Sequence, residues 1–131
     1  MADSTAVVAG TDATATQYNN LRKDAIASKK GTATATDGAT VTFNLNEASV
    51  QTVTLGGNRT LALSNVSVGQ IFCIRLVQDG GGSRTVTWWS TIKWPYNVTP
   101  TLTTTGGKTD VFVFICTGSG TYDGFTVGLS L

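Results

Sequence analysis

Seven short runs of β-branched and aromatic residues, separated by glycine-rich turns, fill the chain from Val41 to its C-terminus. They are TVTFNL (40–45), TVTL (52–55), TLAL (60–63), IFCIRLV (71–77), RTVTWW (84–89), DVFVFIC (110–116) and GFTVGL (124–129). The separators GGN, DGGGS, TGG and TGSGTYD are the punctuation expected of hairpins. This pattern confines the chain to a rigid β scaffold with little room for conventional catalytic equipment. The sequence contains no histidine, which removes the commonest general base and metal ligand together.

Alternation gives the strands their faces. Val41, Phe43 and Leu45 fall on one side of a strand, with Thr40, Thr42 and Asn44 on the other. Val53 and Leu55, then Leu61 and Leu63, repeat the arrangement across GGN. By contrast IFCIRLV and DVFVFIC are apolar on both faces, so each must be covered twice, and a second subunit is the expected cover for one face. Local, sequential hairpins predict an antiparallel β-sandwich or jelly-roll-like domain over residues 32–131. Pro95 and Pro100 bracket YNVT, which suits an irregular excursion at the end of the sheet.

Ahead of that domain, residues 1–31 read as an arm and one short α-helix. Thr14 and Gln17 have capping-box spacing, Lys29 and Lys30 favour the negative end of the helix dipole, and Gly31 suits the left-handed C′ position. Tyr18, Leu21, Ala25 and Ile26 form a narrow apolar stripe. A helix of this kind is marginal alone in water, so the stripe needs a partner: its own β domain, a second copy, or another protein.

Composition narrows the function. At 131 residues a single domain is expected, one that buries about two-thirds of its unfolded surface. Charged residues are 13% of the chain, against about 25% in ordinary globular proteins, and threonine takes over much of the surface. That balance suits a protein covering its surface by self-association. Nine basic against eight acidic residues give no concentrated basic footprint for nucleic acid. No run approaches the roughly 18 apolar residues of a membrane span, and MADSTAVVAG lacks the basic start and apolar stretch of a secretory signal. Three Asn-X-Ser/Thr sequons, at Asn58, Asn65 and Asn97, therefore carry no weight. Cys73 and Cys116 lie inside apolar strands, as buried free thiols would; a disulfide between neighbouring strands is the open alternative.

Motifs for chemistry are weak. No histidine is present to activate a serine, and Gly118-Ser119-Gly120 does not match a nucleophile elbow. Gly107-Lys108-Thr109 ends like a phosphate loop, but Leu102 stands where that loop needs glycine. Asp79, Asp110 and Asp123 occupy strand or turn ends, where aspartate caps turns, and Glu47 is the only glutamate. Neither catalytic residues nor a cofactor or metal site is expected. Trp88, Trp89, Trp94 and Tyr96 form the most suggestive cluster. Exposed aromatic rings stack on sugars and anchor protein interfaces, whereas buried ones fill a core. Strand alternation places Trp88 and Trp89 on opposite faces.

Several of these features recur together. Asn58-Arg-Thr-Leu61, Gly69-Gln70, Gln78–Trp88, Lys93-Trp-Pro95, Pro100-Thr-Leu102 and Asp110-Val-Phe112 make a pattern that resembles a β module of tail fibres and minor virion proteins of tailed bacteriophages. The segment GTDATATQYNNLRKDA is similar to one common in phage structural proteins. The resemblance covers most of the chain from Gly10 onward. It implies a non-enzymatic, commonly trimeric virion component made in the host cytoplasm: a capsid decoration or a head or tail fibre-spike. In such a component residues 1–31 attach to capsid, portal or tail proteins, and residues 32–131 project outward. A carbohydrate-binding module that recognises a host surface glycan is the alternative.

Overall fold

A computed structural model describes residues 31–131. The arm and helix expected over residues 1–31, with Tyr18, Leu21, Ala25 and Ile26, fall outside the described residues except for Gly31. From Thr32 onward the chain is mainly β. The strands are β1 (Thr32–Thr34), β2 (Thr40–Asn44), β3 (Val50–Leu55), β4 (Arg59–Ser64), β5 (Ile71–Gln78), β6 (Val86–Thr87), β7 (Ile92–Lys93), β8 (Thr109–Gly118) and β9 (Thr121–Gly128). One 3₁₀ turn spans Pro95–Asn97.

The path of the chain differs from the expected series of antiparallel hairpins. A six-stranded sheet has the order β1-β3-β5-β8-β9-β7, and a three-stranded sheet has the order β2-β4-β6. From β1 to β6 the chain therefore passes from one sheet to the other at every step. Each strand lies parallel to the one two steps earlier: Thr32 beside Val50, Val50 beside Cys73, Thr40 beside Thr60, Thr60 beside Thr87. Only afterwards does the chain double back, with β8 antiparallel to β5 and β9 antiparallel to β8. The sheets are mixed, not antiparallel throughout.

The turns explain the difference. A two-residue hairpin that matches strand twist needs positive φ at its first central residue or at both. Gly56, Gly57 and Asn58 all keep negative φ, so GGN turns a corner between sheets instead of reversing the strand. Gly120, with φ +75°, lies in the one turn of the four that does join antiparallel neighbours, β8 to β9.

Alternation places the core as expected. Val41, Phe43, Leu45 and Leu61 come inward from the smaller sheet to meet Val53, Leu55, Phe72, Ile74, Leu76, Phe112 and Phe114 from the larger. Four phenylalanines, at 43, 72, 112 and 114, are fully buried, which makes one continuous apolar interior. Two buried polar side chains, Gln51 and Asp110, are satisfied locally. Gln51 Nε2 donates to the carbonyls of Asn44 and Ala48. Asp110 accepts from the backbone N–H of Thr103 (2.7 Å) and Ser130 (3.0 Å), pinning two loop segments to the start of β8. Cys73 and Cys116 are free thiols, Cys116 buried and Cys73 half-buried.

Gly82 shows how tightly the third corner is closed. It has φ +65°, and a Cβ there would collide with the carbonyl oxygen of Thr104, which already accepts from Ser83 N–H at 2.8 Å. Gly82→Ala is expected to cost more than about 1 kcal/mol, because backbone strain and a steric clash act together. A urea midpoint unchanged from the parent would refute that account.

Candidate functional site

Three regions hold the residues singled out by sequence: the corners, an aromatic end, and the outer face of the larger sheet. The corners contain Asn58, Arg59 and the Gln78–Arg84 stretch of the motif. Asp37, between β1 and β2, receives Arg59 in two parallel bonds, Nε to Oδ1 at 2.8 Å and Nη2 to Oδ2 at 2.9 Å, plus the Gly56 N–H. Asn58 Oδ1 accepts from Thr85 N–H at 3.0 Å. Gln78 clasps the Arg84 backbone, donating to its carbonyl and accepting from its N–H, both at 2.9 Å. Asp79 in turn holds the Arg84 guanidinium through both oxygens at 3.0 Å and caps the N–H groups of Gly81 and Gly82. The Arg59 bond holds the Asp37 carboxyl below its ordinary range, and the Arg84 bond does the same for Asp79. These carboxylates are fixed acceptors, unsuited to exchanging protons with a substrate near neutral pH. Among the described residues, no cluster of three or more His, Cys, Asp or Glu side chains is placed to hold a metal ion.

The aromatic end lies over β8 and β9. Strand β6 stops at Thr87, so the alternation expected for Trp88 and Trp89 does not apply, and both rings turn towards the same cluster. They meet edge to face at 5.4 Å; Trp88 also lies 5.2 Å from Phe112, and Trp89 lies 4.7 Å from Phe114. Trp94 completes the group, 5.3 Å from Trp88 and only 7% exposed. Its ring is admitted by Gly124, where a Cβ would come within 2.8 Å of it. Trp88 and Trp89 are half-buried against the core, and the Trp89 indole N–H is buried without a hydrogen-bond partner. Tyr96 goes the other way. It is 98% exposed, at the tip of a turn in which Tyr96 and Asn97 both take positive φ, 57° and 59°. The sequence places all four aromatics together, but the structure unites only the tryptophans.

The third region is the face of the larger sheet turned away from the core. Burial alternates along β5 and β8, so Ile71, Cys73, Val113 and Ile115 point outward as a second apolar surface, the two-sidedness read from the sequence. Three shallow concavities accompany these regions. One of about 390 Å³ adjoins the Ser67–Gln70 turn, and another of the same size is lined by Thr34, Thr40, Thr42 and Glu47. A third, of about 200 Å³, lies between Arg84–Trp88 and Thr99–Leu102.

The aromatic end and the corners should respond differently to perturbation. Trp94→Ala should cost about 3–5 kcal/mol by opening the aromatic core, whereas Tyr96→Ala should leave the urea midpoint within about 0.5 kcal/mol of the parent. The reverse order would mean that the turn, not the cluster, supports the fold. Acid should weaken the corners. Because Asp37 and Asp79 have folded pKa values below the unfolded value, their stabilisation is complete above the unfolded carboxylate range and is lost as pH falls through the folded values. Stability measured by urea should hold from neutral pH to about 5 and decline below about 4. An Asp37→Asn/Asp79→Asn variant should show a shallower decline.

Comparison of this chain with protein-family models, with curated proteins and with solved structures returned no match.

Proposed function

We propose that this chain is a non-enzymatic structural protein of a bacteriophage virion. It serves as a small, self-associating capsid decoration or head or tail fibre-spike, held to the particle by its N-terminal segment and exposing its β domain. The observation that carries the reading is the position of the recurring motif. Asn58, Arg59, Gln78, Asp79 and Arg84 spend their polar groups on one another, on Asp37 and on nearby backbone at the corners. A signature consumed by corner geometry is that of a scaffold. A signature for catalysis or ligand capture would leave donors and acceptors facing solvent. The phage context comes from the resemblance of those same residues and of GTDATATQYNNLRKDA. Low charge and a second apolar sheet face suit a chain that meets its own copies and other virion proteins.

Tyr96 favours one further reading, a carbohydrate-binding receptor-recognition module. A fully exposed ring on a turn of fixed geometry is a stacking platform for a sugar. Trp94 supports this less, since its ring is buried.

Light scattering under native conditions tests the main reading. The full chain should have the mass of an oligomer, three copies on the family resemblance, and a chain lacking residues 1–31 should keep it. A monomeric truncated chain would assign assembly to the N-terminal segment, and a monomeric full chain would overturn self-association.

A further inference from the structure

The outer face of the larger sheet is apolar at its centre and charged at two corners. Ile71, Phe125 and Val127 are 60%, 42% and 63% exposed, and Cys73, Val113 and Ile115 lie half-buried between them. The register aligns them: Ile71 opposite Ile115, Cys73 opposite Val113, and Val113 opposite Phe125. Large apolar side chains grouped on one face, unlike scattered ones, mark a contact surface.

The charges are Arg75 on β5 and, at the far corner, Asp123 on β9 with the exposed Lys93 beside it on β7. Arg75 lies opposite Val111, and Asp123 lies opposite Ile115. Strand spacing and rise therefore separate them by about 10 Å across the sheet and about 13 Å along it. They cannot pair within one chain. The Arg75 guanidinium donates only to the Thr52 hydroxyl, at 3.2 Å, and Asp123 makes no ion pair among the described residues although Lys93 is its neighbour in β7.

We infer that this face is the contact between copies of the chain, with the β5 side of one against the β9 side of another, so that Arg75 meets Asp123 of the next copy. The inference rests on the self-associating reading above and names the surface that performs it. The charge arrangement selects the occupant. A strongly acidic or basic partner would leave one of the two charges buried and opposed. The next copy in a ring offers its β9 side, with Asp123, to the β5 side that carries Arg75, and the apolar centres turn together towards the ring axis. Cyclic assemblies use surfaces of this kind, one side of each subunit meeting the other side of the next.

Cys73 sits in the middle of the face and reports on its cover. Burial raises its thiol pKa, so labelling with a maleimide is best followed at mildly alkaline pH, where Cys116 in the core serves as the protected control. The full-length parent should be oligomeric by light scattering, with Cys73 labelled slowly. Phe125→Asp, or Val127→Asp if the first variant does not fold, should be monomeric, with faster labelling of Cys73 and unchanged tryptophan fluorescence. Arg75→Asp should weaken the oligomer, and Arg75→Asp with Asp123→Arg should restore it. An oligomer whose Cys73 labels as fast as in the Phe125→Asp variant would overturn the assignment of the face while leaving self-association intact. Slow labelling in a monomeric parent would show that the chain's own residues cover the face, and would overturn both.

Discussion

Parallel register is the constraint on which this fold depends. Sliding one strand by a single residue would turn its whole apolar set outward, and no hairpin turn fixes the register between β1 and β3 or between β2 and β4. Side chains at the corners fix it instead. Counting β1–β2, β3–β4 and β5–β6 as three successive coils, the bidentate Arg59–Asp37 pair ties the second coil to the first, and the Asn58 bond to Thr85 ties it to the third. Both the pair and the bond sit between coils, so neither forms unless the strands are already level. Their partly exposed charges add little stability as isolated ion pairs. Their value is geometric: they hold neighbouring strands level, since any slip would part both partners.

With the register fixed, the interior can be assembled from both sheets at once. Phe43 belongs to the smaller sheet, and Phe72, Phe112 and Phe114 to the larger. The short final strand β6 cannot complete the coil, since it covers only Val86 and Thr87. The tryptophans fill the place that further strand would occupy. Trp88, Trp89 and Trp94 pack edge to face over Phe112 and Phe114, and so close the apolar interior where the parallel winding ends. That role makes these rings part of the architecture. Tyr96, carried outward on a turn two residues past Trp94, is the aromatic of this group left for contact with another molecule.

The sequence shows which residues face inward with little ambiguity, because a period of two reports burial directly. Val41, Phe43 and Leu45 are buried as alternation requires, and so are Phe72, Ile74 and Leu76. It does not show which strands are neighbours. Alternation is the same for a hairpin and for a coil, so the decision rests on the backbone of a three-residue turn, and GGN is rich enough in glycine to suggest the wrong one. A subtler signal is present. Thr40-Val-Thr-Phe-Asn is echoed by Thr60-Leu-Ala-Leu-Ser, and these segments are paired residue for residue in the structure. Self-similarity marks stacked coils most clearly when its spacing is fixed, and here the other paired strands stand at other spacings, so the signal is faint. The paired tryptophans mislead for a related reason: alternation holds only inside a strand, and β6 ends before either of them. Among the candidate features, the motif residues and the two-sided strands are legible in the sequence, but the diagonal placement of Arg75 and Asp123 needs the register.

The two-sided strands connect the fold to assembly. In β5 and β8 the inward residues supply the core, so the outward apolar residues are not needed to hold the chain together. Keeping them has a consequence: a low-charge protein with an open apolar sheet face has little electrostatic repulsion to prevent association. Such a chain must therefore either direct that association or aggregate. Two features can direct it here. The exposed apolar side chains are gathered on three adjacent strands, with Arg75 and Asp123 at opposite corners and Lys93 beside Asp123. A sheet edge could still recruit strands indiscriminately, but the edges of the larger sheet are short: three residues in β1 and two in β7. The short edges thus limit lateral pairing, the corners fix the fold without drawing on the outer face, and that face keeps its apolar side chains and charges free for the contact between copies inferred above.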